Sequence, residues 1–341
     1  MQSLILQTPK QPDSLKLQEL PHPEPGAGQV CVKMTSMGLN RGDLLYCQGR
    51  YFYPPSTNSR VGFEGAGIVE KVADSNGTFK PGDRVGILPM SFDVSQQGCF
   101  SEYAIYDNSS LLPTPSNLSD EDAGSFWMAY LTAWGGMVER GKLSSNETVV
   151  ITAASSSVGL AAIQIAKMQG AQVVATTSHE NKAQIMLDQG ADKVIMMPSN
   201  LEGDSLREAC EDYVEQLKAL TNGKGSDLVF DAVAGPSSYA LVKGSALRGR
   251  VVIQGMLDRR PMDIHAGVLM KRRLSLYGYM LDDTLDNETE RHRAVQSIVK
   301  GFTNKQLKPV IAKRHALSCF ADAFEQLKQN RHIGKILLVP D

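Results

Sequence analysis

The sequence predicts an α/β chain in two parts, a β-rich, barrel-like part and a doubly wound parallel sheet. Three observations carry this. Short alternating runs punctuated by Gly and Pro fill the first third; β-branched strand candidates alternate with helix-length segments from about residue 149; beyond about residue 275 the pattern returns to mixed character. A length of 341 residues suits two ordinary domains, and 42% apolar with 21% charged residues fills real cores and excludes a disordered or fibrous chain.

The charge balance removes further classes. Thirty-five basic and 37 acidic residues give a net charge of -2 and a pI near 6.3, with no bulk electrostatic footprint for nucleic acid or an anionic membrane. Lys271-Arg272-Arg273 reads as a solvated strand end. The start, "MQSLILQTPK", has a short hydrophobic patch and no cleavage site, so the expected location is cytoplasmic. Cysteines at 31, 47, 99, 210 and 319, without a C-x-x-C pair, are expected to be reduced.

In chain order, "QVCVKM" puts Val30, Val32 and Met34 on one side of a strand, and "EGAGIVEKV" is another strand. Lys80-Pro81-Gly82-Asp83 forms a turn before "RVGIL", with Pro fixing φ and Gly accepting a positive φ. Ser119 N-caps a helical stretch that carries acids in its first turn. Parallel-sheet strands are expected at Val149 to Thr152, Gln172 to Thr176, Lys193 to Met196, Asp227 to Asp231 and Arg250 to Gln254. "LSLYGYML", a charged helix around Glu290 to Lys300, a helix at Ala321 to Gln329 and the strand "GKILLVP" follow. The β-rich domain is therefore expected to be discontinuous, over 1–122 and 273–341, around a cofactor-binding domain at 123–272.

The stretch "VVITAASSSVGLAAIQIAK" has the outline of a dinucleotide-binding turn, with Ala154, Ser156 and Gly159 at the three glycine places. Only the packing glycine survives, but small residues still admit a pyrophosphate, and backbone N–H groups with the helix dipole do most of the anion binding. At the next strand tip the chain reads Thr176-Thr177-Ser178-His179-Glu180-Asn181-Lys182. No acid sits at the tip to hold a ribose diol, and hydroxyls followed by a lysine suit a 2′-phosphate, so NADPH is expected over NADH.

With "GLNRGDLLYCQGRYFYPP", "VGFEGAGIVEKV", "FKPGDRV", the "AASSSVGLAAIQIAK" turn, "LRGRVVIQG" and "IGKILLVP", nearly the whole chain resembles the medium-chain dehydrogenase/reductase superfamily, and within it the zinc-independent quinone oxidoreductase branch. The resemblance implies a GroES-like β-rich catalytic domain joined to a Rossmann domain, with the active site in the cleft between them. The catalytic zinc places of that superfamily hold Asn40, Phe63 and Met128, none a plausible ligand, and the structural-zinc lobe retains only Cys99. His22, His179, His265, His292, His315 and His332 show no metal-ligand spacing either, so no metal is expected. Tyr239 and Lys243 match the Tyr-x-x-x-Lys pair of short-chain dehydrogenases by accident, on a helix away from the expected cleft.

What the resemblance implies for single residues is as follows. Thr132 and Met256 lie beside the nicotinamide, Ser156, Ser157, Val158 and Gly159 at the pyrophosphate, Ser178, Lys182 and Arg331 near the 2′-phosphate, and Val233 among the cofactor contacts. Asn40, assisted by Tyr46 or Tyr51, takes the catalytic place, and Tyr46, Tyr51, Phe52 and Tyr53 form a flat substrate wall. Met197, where a tyrosine is frequent, and Ser157, where glycine is usual, point to modest cofactor affinity. The expected activity is reduction of quinones or α,β-unsaturated carbonyl compounds by direct hydride transfer from NADPH; the alternatives are an enoyl-thioester reductase and a non-catalytic NADPH-binding or structural protein. A homodimer is expected through "MDIHAGVLMKRRLSLYGYML", whose Rossmann-edge strand is unpaired in a monomer.

Overall fold

A computed structural model describes residues 1–73, 77–197 and 200–341. The chain divides into two compact units, Met1–Met128 with Pro309–Asp341, and Ala129–Lys308. Among the described residues no helix is long and apolar enough to cross a membrane.

The first unit holds strands β1 (Gln2–Leu6), β2 (Leu15–Glu19), β3 (Gln29–Leu39), β4 (Ser59–Arg60), β5 (Gly65–Val72), β6 (Arg84–Ile87), β7 (Tyr103–Asp107) and β8 (Leu111–Pro113). The second holds β9 (Thr148–Ile151), β10 (Gln172–Thr177), β11 (Lys193–Met196), β12 (Ser226–Asp231), β13 (Ser245–Ile253) and β14 (Ser275–Gly278). Strands β15 (Ile311–Ala316) and β16 (Lys335–Val339) return to the first.

In the first unit a three-stranded sheet runs β2-β1-β4 and a seven-stranded sheet runs β15-β16-β3-β5-β6-β8, with β7 also on β3. Val30, Val32 and Met34 enter the main core, as the alternation in "QVCVKM" requires. Cys31 points to the opposite face of β3 and is nevertheless fully covered. The β3–β5 register steps from Cys31↔Lys71 to Val32↔Val69, so Glu70 is an extra, bulged residue. Strand β16 lies antiparallel to β3, pairing Ile336 with Leu39 and Leu338 with Met37, and so closes the discontinuous unit.

The second unit is a six-stranded, wholly parallel sheet in the order β11-β10-β9-β12-β13-β14. Its central strand is buried from Thr148 to Ile151, as expected of a strand covered on both faces. The helix Ser157–Met168 crosses from β9 to β10, and at Gly159 an added Cβ would come within 2.5 Å of Ala154 Cα and 2.7 Å of Ala153 O. Gly159 therefore does the packing task that the turn assigns to its last glycine.

The boundary expected at residue 273 lies instead at Pro309. The cause is β14, which extends the parallel sheet by pairing with Arg250–Ile253. The helix Glu288–Thr303 stays with that sheet's unit: Phe302 packs on Tyr130 at 5.0 Å, and the Tyr130 hydroxyl donates to Lys308 O at 3.0 Å. Likewise the start of the unit falls at Ala129 rather than residue 123, because Gly124 N–H is held by Ser36 Oγ at 2.8 Å.

Candidate functional site

Within the first unit the residues around Asn40 form a buried polar cluster. Asn40 follows β3 in extended backbone and caps the helix Arg41–Cys47. Lys335 Nζ donates to Asn40 Oδ1 at 2.6 Å and to Glu64 Oε2 at 2.7 Å. Asn40 Nδ2 donates to Gly38 O at 3.0 Å and to the same Glu64 oxygen at 3.1 Å, while Glu64 Oε1 accepts Met128 N–H at 2.8 Å. Both charged partners are almost wholly removed from water, at 1% side-chain exposure each. Beside them Asp43 accepts Asn40 N–H at 2.7 Å and Phe63 N–H at 3.0 Å. Burial pushes its carboxyl up to about 7 against the pull of these two donors and of Lys335.

This geometry bears on two catalytic assignments. Both N–H donors of the Asn40 amide, expected to polarise an acceptor, are engaged within the unit. Its amide instead orients a buried ion pair. Tyr46 is a core residue at 1% exposure, its hydroxyl shared with Ser59 Oγ at 2.5 Å and its ring edge-on to Phe63 at 5.6 Å. It is no part of a substrate wall, because the helix Arg41–Cys47 turns that face inward. Tyr51 is half-buried, tilted over Phe63 at 5.1 Å, with Phe52 at 5.6 Å and Tyr53 at 6.0 Å from it. Phe52 and Tyr53 are exposed.

The donor set does not fit a catalytic zinc. Phe63 is core at 3% exposure, Met128 meets the cluster through its backbone, and the Asn40 oxygen already faces an ammonium group. A divalent cation would meet a cation there, and none of the three side chains is an ordinary zinc ligand.

In the second unit the assigned cofactor residues gather along one edge of the sheet, beyond the carboxyl ends of its strands, where ligands of open parallel sheets bind. After β9, Ala153 turns at φ 45°, and Ser156 caps the helix by accepting Gly159 N–H at 3.1 Å. The first glycine's positive φ is thus carried by Ala153, one place before the alanine expected to stand in for it. Ser157 and Val158 open the helix, where N–H groups have no intrahelical acceptor and the dipole favours an anion. After β10, Ser178 Oγ contacts His179 Nδ1 at 2.8 Å, and Lys182 lies in the short turn Glu180–Lys182. Lys182 is buried at 5% exposure, and removal from water lowers its pKa from the usual lysine range. After β12, Val233 N–H donates to Asp231 Oδ1 at 2.9 Å; after β13, Met256 is half-exposed at 50%.

Thr132 is buried on the helix Trp127–Trp134. Arg331, exposed beyond the helix Phe320–Gln329, belongs to the first unit, so the structure does not gather it with Ser178 and Lys182 inside one unit. Tyr239 and Lys243 bond to each other at 3.0 Å and to Glu211, a contact between two helices.

Buried charges that sequence reasoning missed include Glu64, Lys335 and Asp231. Glu64 and Lys335 stood in plain sight as lone charges inside the apolar runs "VGFEGAG" and "GKILLVP". Asp231, at the end of β12, accepts Thr152 Oγ1 at 2.6 Å and the N–H groups of Val233 and Ala234, which fixes the loop carrying Val233.

Residues 26–116 match the alcohol dehydrogenase GroES-like domain, and residues 157–300 match the zinc-binding dehydrogenase domain. Rattus norvegicus quinone oxidoreductase is 27% identical over 330 residues, which cover 96% of this chain and 94% of that protein. A mycocerosic acid synthase-like polyketide synthase of Mycobacterium tuberculosis is 28% identical over 336 residues, 98% of this chain but only 15% of that protein's length. Among solved structures, an NAD-dependent alcohol dehydrogenase superposes with TM-score 0.88 at 26% identity, covering 100% of both chains. Escherichia coli quinone oxidoreductase complexed with NADPH superposes with TM-score 0.85 at 25% identity, also covering 100% of both.

Lys335→Met strips the buried Glu64 carboxylate of its cation and is expected to cost about 3–5 kcal/mol in denaturant unfolding. The double variant Glu64→Gln with Lys335→Met should recover most of that loss. Equal stability of Lys335→Met and the parent would show that the pair does not hold the unit together.

Proposed function

The chain belongs to the medium-chain dehydrogenase/reductase superfamily, quinone oxidoreductase branch, and from that we propose that it is an NADPH-dependent reductase of quinones or α,β-unsaturated carbonyl compounds, working without a catalytic metal. The observation that carries the cofactor choice is the tip of β10: the residues Thr177, Ser178 and His179 bring no carboxylate, and Lys182 is buried just beyond them. An acid there would repel a 2′-phosphate, whereas a partly desolvated ammonium gains from its arrival.

The residues of the second unit fit such a cofactor. The backbone N–H groups of Ser157 and Val158 would hold the pyrophosphate, Gly159 lets the helix approach the strand, Ser178 and Lys182 would hold the 2′-phosphate, and Val233 and Met256 flank the same sheet edge. Thr132 and Arg331 are assigned to the nicotinamide and phosphate ends by the family layout alone. NADPH, when bound, supplies a hydride for an electrophilic carbon or quinone oxygen. With the Asn40 and Tyr46 side chains occupied inside the first unit, Tyr51 is the catalytic candidate retained, as a phenol beside Phe63 with the exposed Phe52 and Tyr53 next to it.

The polyketide synthase relatives favour a second reading, an enoyl-thioester reductase, which uses the same hydride chemistry on a longer acyl substrate. The quinone reading has support from relatives matched over nearly their full length.

Three measurements test these readings. Purified protein should oxidise NADPH with a simple quinone or enone, at a rate a chelator leaves unchanged; turnover confined to an enoyl thioester would select the second reading, and none with any acceptor would leave a non-catalytic NADPH-binding protein. Lys182→Ala should weaken NADPH binding by about tenfold to a hundredfold, since a charged hydrogen bond contributes about 1.5–3 kcal/mol, with NADH hardly affected. Equal weakening of both, or a parent enzyme that prefers NADH, would overturn the phosphate assignment. Finally, among the described residues β14 has one sheet neighbour, and Met270, on the helix just before it in the chain, is 78% exposed, which supports a homodimer through this edge; a monomeric mass by light scattering at micromolar concentration would refute it.

A further inference from the structure

The first unit carries a second cluster that the reductase reading does not use. His22 Nε2 lies 3.1 Å from Glu70 Oε2, and Cys31 Sγ lies 3.8 Å from the same oxygen. One ligand atom from each of the three residues falls within 4.8 Å of the other two, and among the described residues no other group of His, Cys, Asp and Glu side chains converges in this way. The separation along the chain hides this, because the three come from different segments joined only by the sheet.

Each is delivered by a specific backbone device. Cys31 lies on the face of β3 turned away from the main core. Without a bulge, alternation along β5 would put Glu70 and Lys71 on opposite faces; the bulge leaves both exposed on the side of Cys31. His22 comes from the strap Pro21-His22-Pro23-Glu24-Pro25, in which the prolines fix φ and bias the residues before them to extended backbone. The strap is pinned at both sides: the His22 ring lies 4.4 Å from that of Tyr103, and Glu24 pairs with Lys71.

We propose that His22, Cys31 and Glu70 form a zinc-binding site on the outer face of the β3–β5 ladder. Imidazole, thiolate and carboxylate are the ligand types zinc takes, and tetrahedral zinc with bonds of about 2.0–2.3 Å separates its ligands by about 3.3–3.6 Å. Two of the observed separations, 3.1 and 3.8 Å, bracket that range, and the third is no more than 4.8 Å, a gap that side-chain rotation can close. Water completes the fourth position. On loading, the Cys31 S–H bond breaks, its proton leaves to solvent and a Zn–S bond forms; thiolate and carboxylate then balance the dication. The charge of Lys71 is already matched by Glu24.

The test is a titration of the metal-stripped full chain with Co²⁺, followed by displacement with Zn²⁺. The expected result is one Co²⁺ per chain with a thiolate-to-cobalt charge-transfer band and tetrahedral d–d bands, bleached by Zn²⁺. The charge-transfer band should vanish in Cys31→Ser and persist in Cys319→Ser, the variant of the exposed cysteine. His22→Ala and Glu70→Gln should weaken binding by at least about tenfold, the lower end of what loss of an outer-shell partner alone costs a metal site. His22 and Glu70 are both exposed, so these variants read the site even if Cys31→Ser fails to fold. No saturable band, a band that survives Cys31→Ser, or unaltered affinity in both His22→Ala and Glu70→Gln would overturn the proposal. The readout is metal binding rather than turnover, so it stands or falls apart from the reductase reading.

Discussion

The buried contact between Glu64 and Lys335 is the constraint on which the first unit depends. It joins β16 to residues 271 positions earlier in the chain, at 2.7 Å and almost out of reach of water. Such a pair is weak evidence for net stability, because desolvating two charges costs as much as their attraction returns. Its force is selective. A one-residue slip of β16 along β3 would send Lys335 to the other face and leave two unpaired charges behind. Gly38, paired with Leu337, shows how close the approach is: a Cβ there would lie 2.5 Å from Glu64 Oε2. From the pair the order spreads outward through Asn40, whose backbone N–H is taken by Asp43, to the start of the helix Arg41–Cys47 and to Phe63.

The second unit meets a different constraint with unusual residues. A turn from β9 into its helix needs a left-handed residue, which glycine adopts freely and alanine only at a cost of about 1–2 kcal/mol. Ala153 bears it at φ 45°, held by Ala154 N–H on Thr176 O at 3.2 Å and by its own carbonyl accepting Ser156 N–H at 3.0 Å. The absent first glycine therefore changed the energetics of the turn and not its path. Gly159 could not be replaced so cheaply, because the atoms against it belong to the backbone.

This explains how much could be read in advance. The parallel strands were legible because each is an apolar run between helix-length segments, and β9 to β13 fall within a few residues of the expected positions. Periodicity gives the face of a residue but not the sheet that will receive it, so "LSLYGYML" fell on the β-rich side of the expected boundary at 273, whereas it adds β14 to the parallel sheet, as the Rossmann-edge strand of the expected dimer contact requires. The same limit explains Tyr46. An aromatic residue near Asn40 is equally compatible with a wall and with a core, and only the placement of the helix Arg41–Cys47 decides between them. Asn40 was singled out by position, yet its amide donates to Glu64, 24 residues away, and its oxygen accepts from Lys335, 295 residues away. Spacing along the chain carries no trace of such partners.

Two buried lysines show why burial alone does not identify a binding residue. Lys335 is enclosed by its own acceptors, Glu64 and Asn40, and its charge is spent on the architecture. At Lys182, removal from water lowers the pKa of the ammonium. A group in that condition gains more from an incoming anion than a solvated lysine would. The end of β10 matters for the same reason, since an acid at Thr177, Ser178 or His179 would repel the phosphate that Lys182 attracts. The two features point the same way: a strand tip without an acid does not repel a phosphate, and a desolvated ammonium just beyond it attracts one.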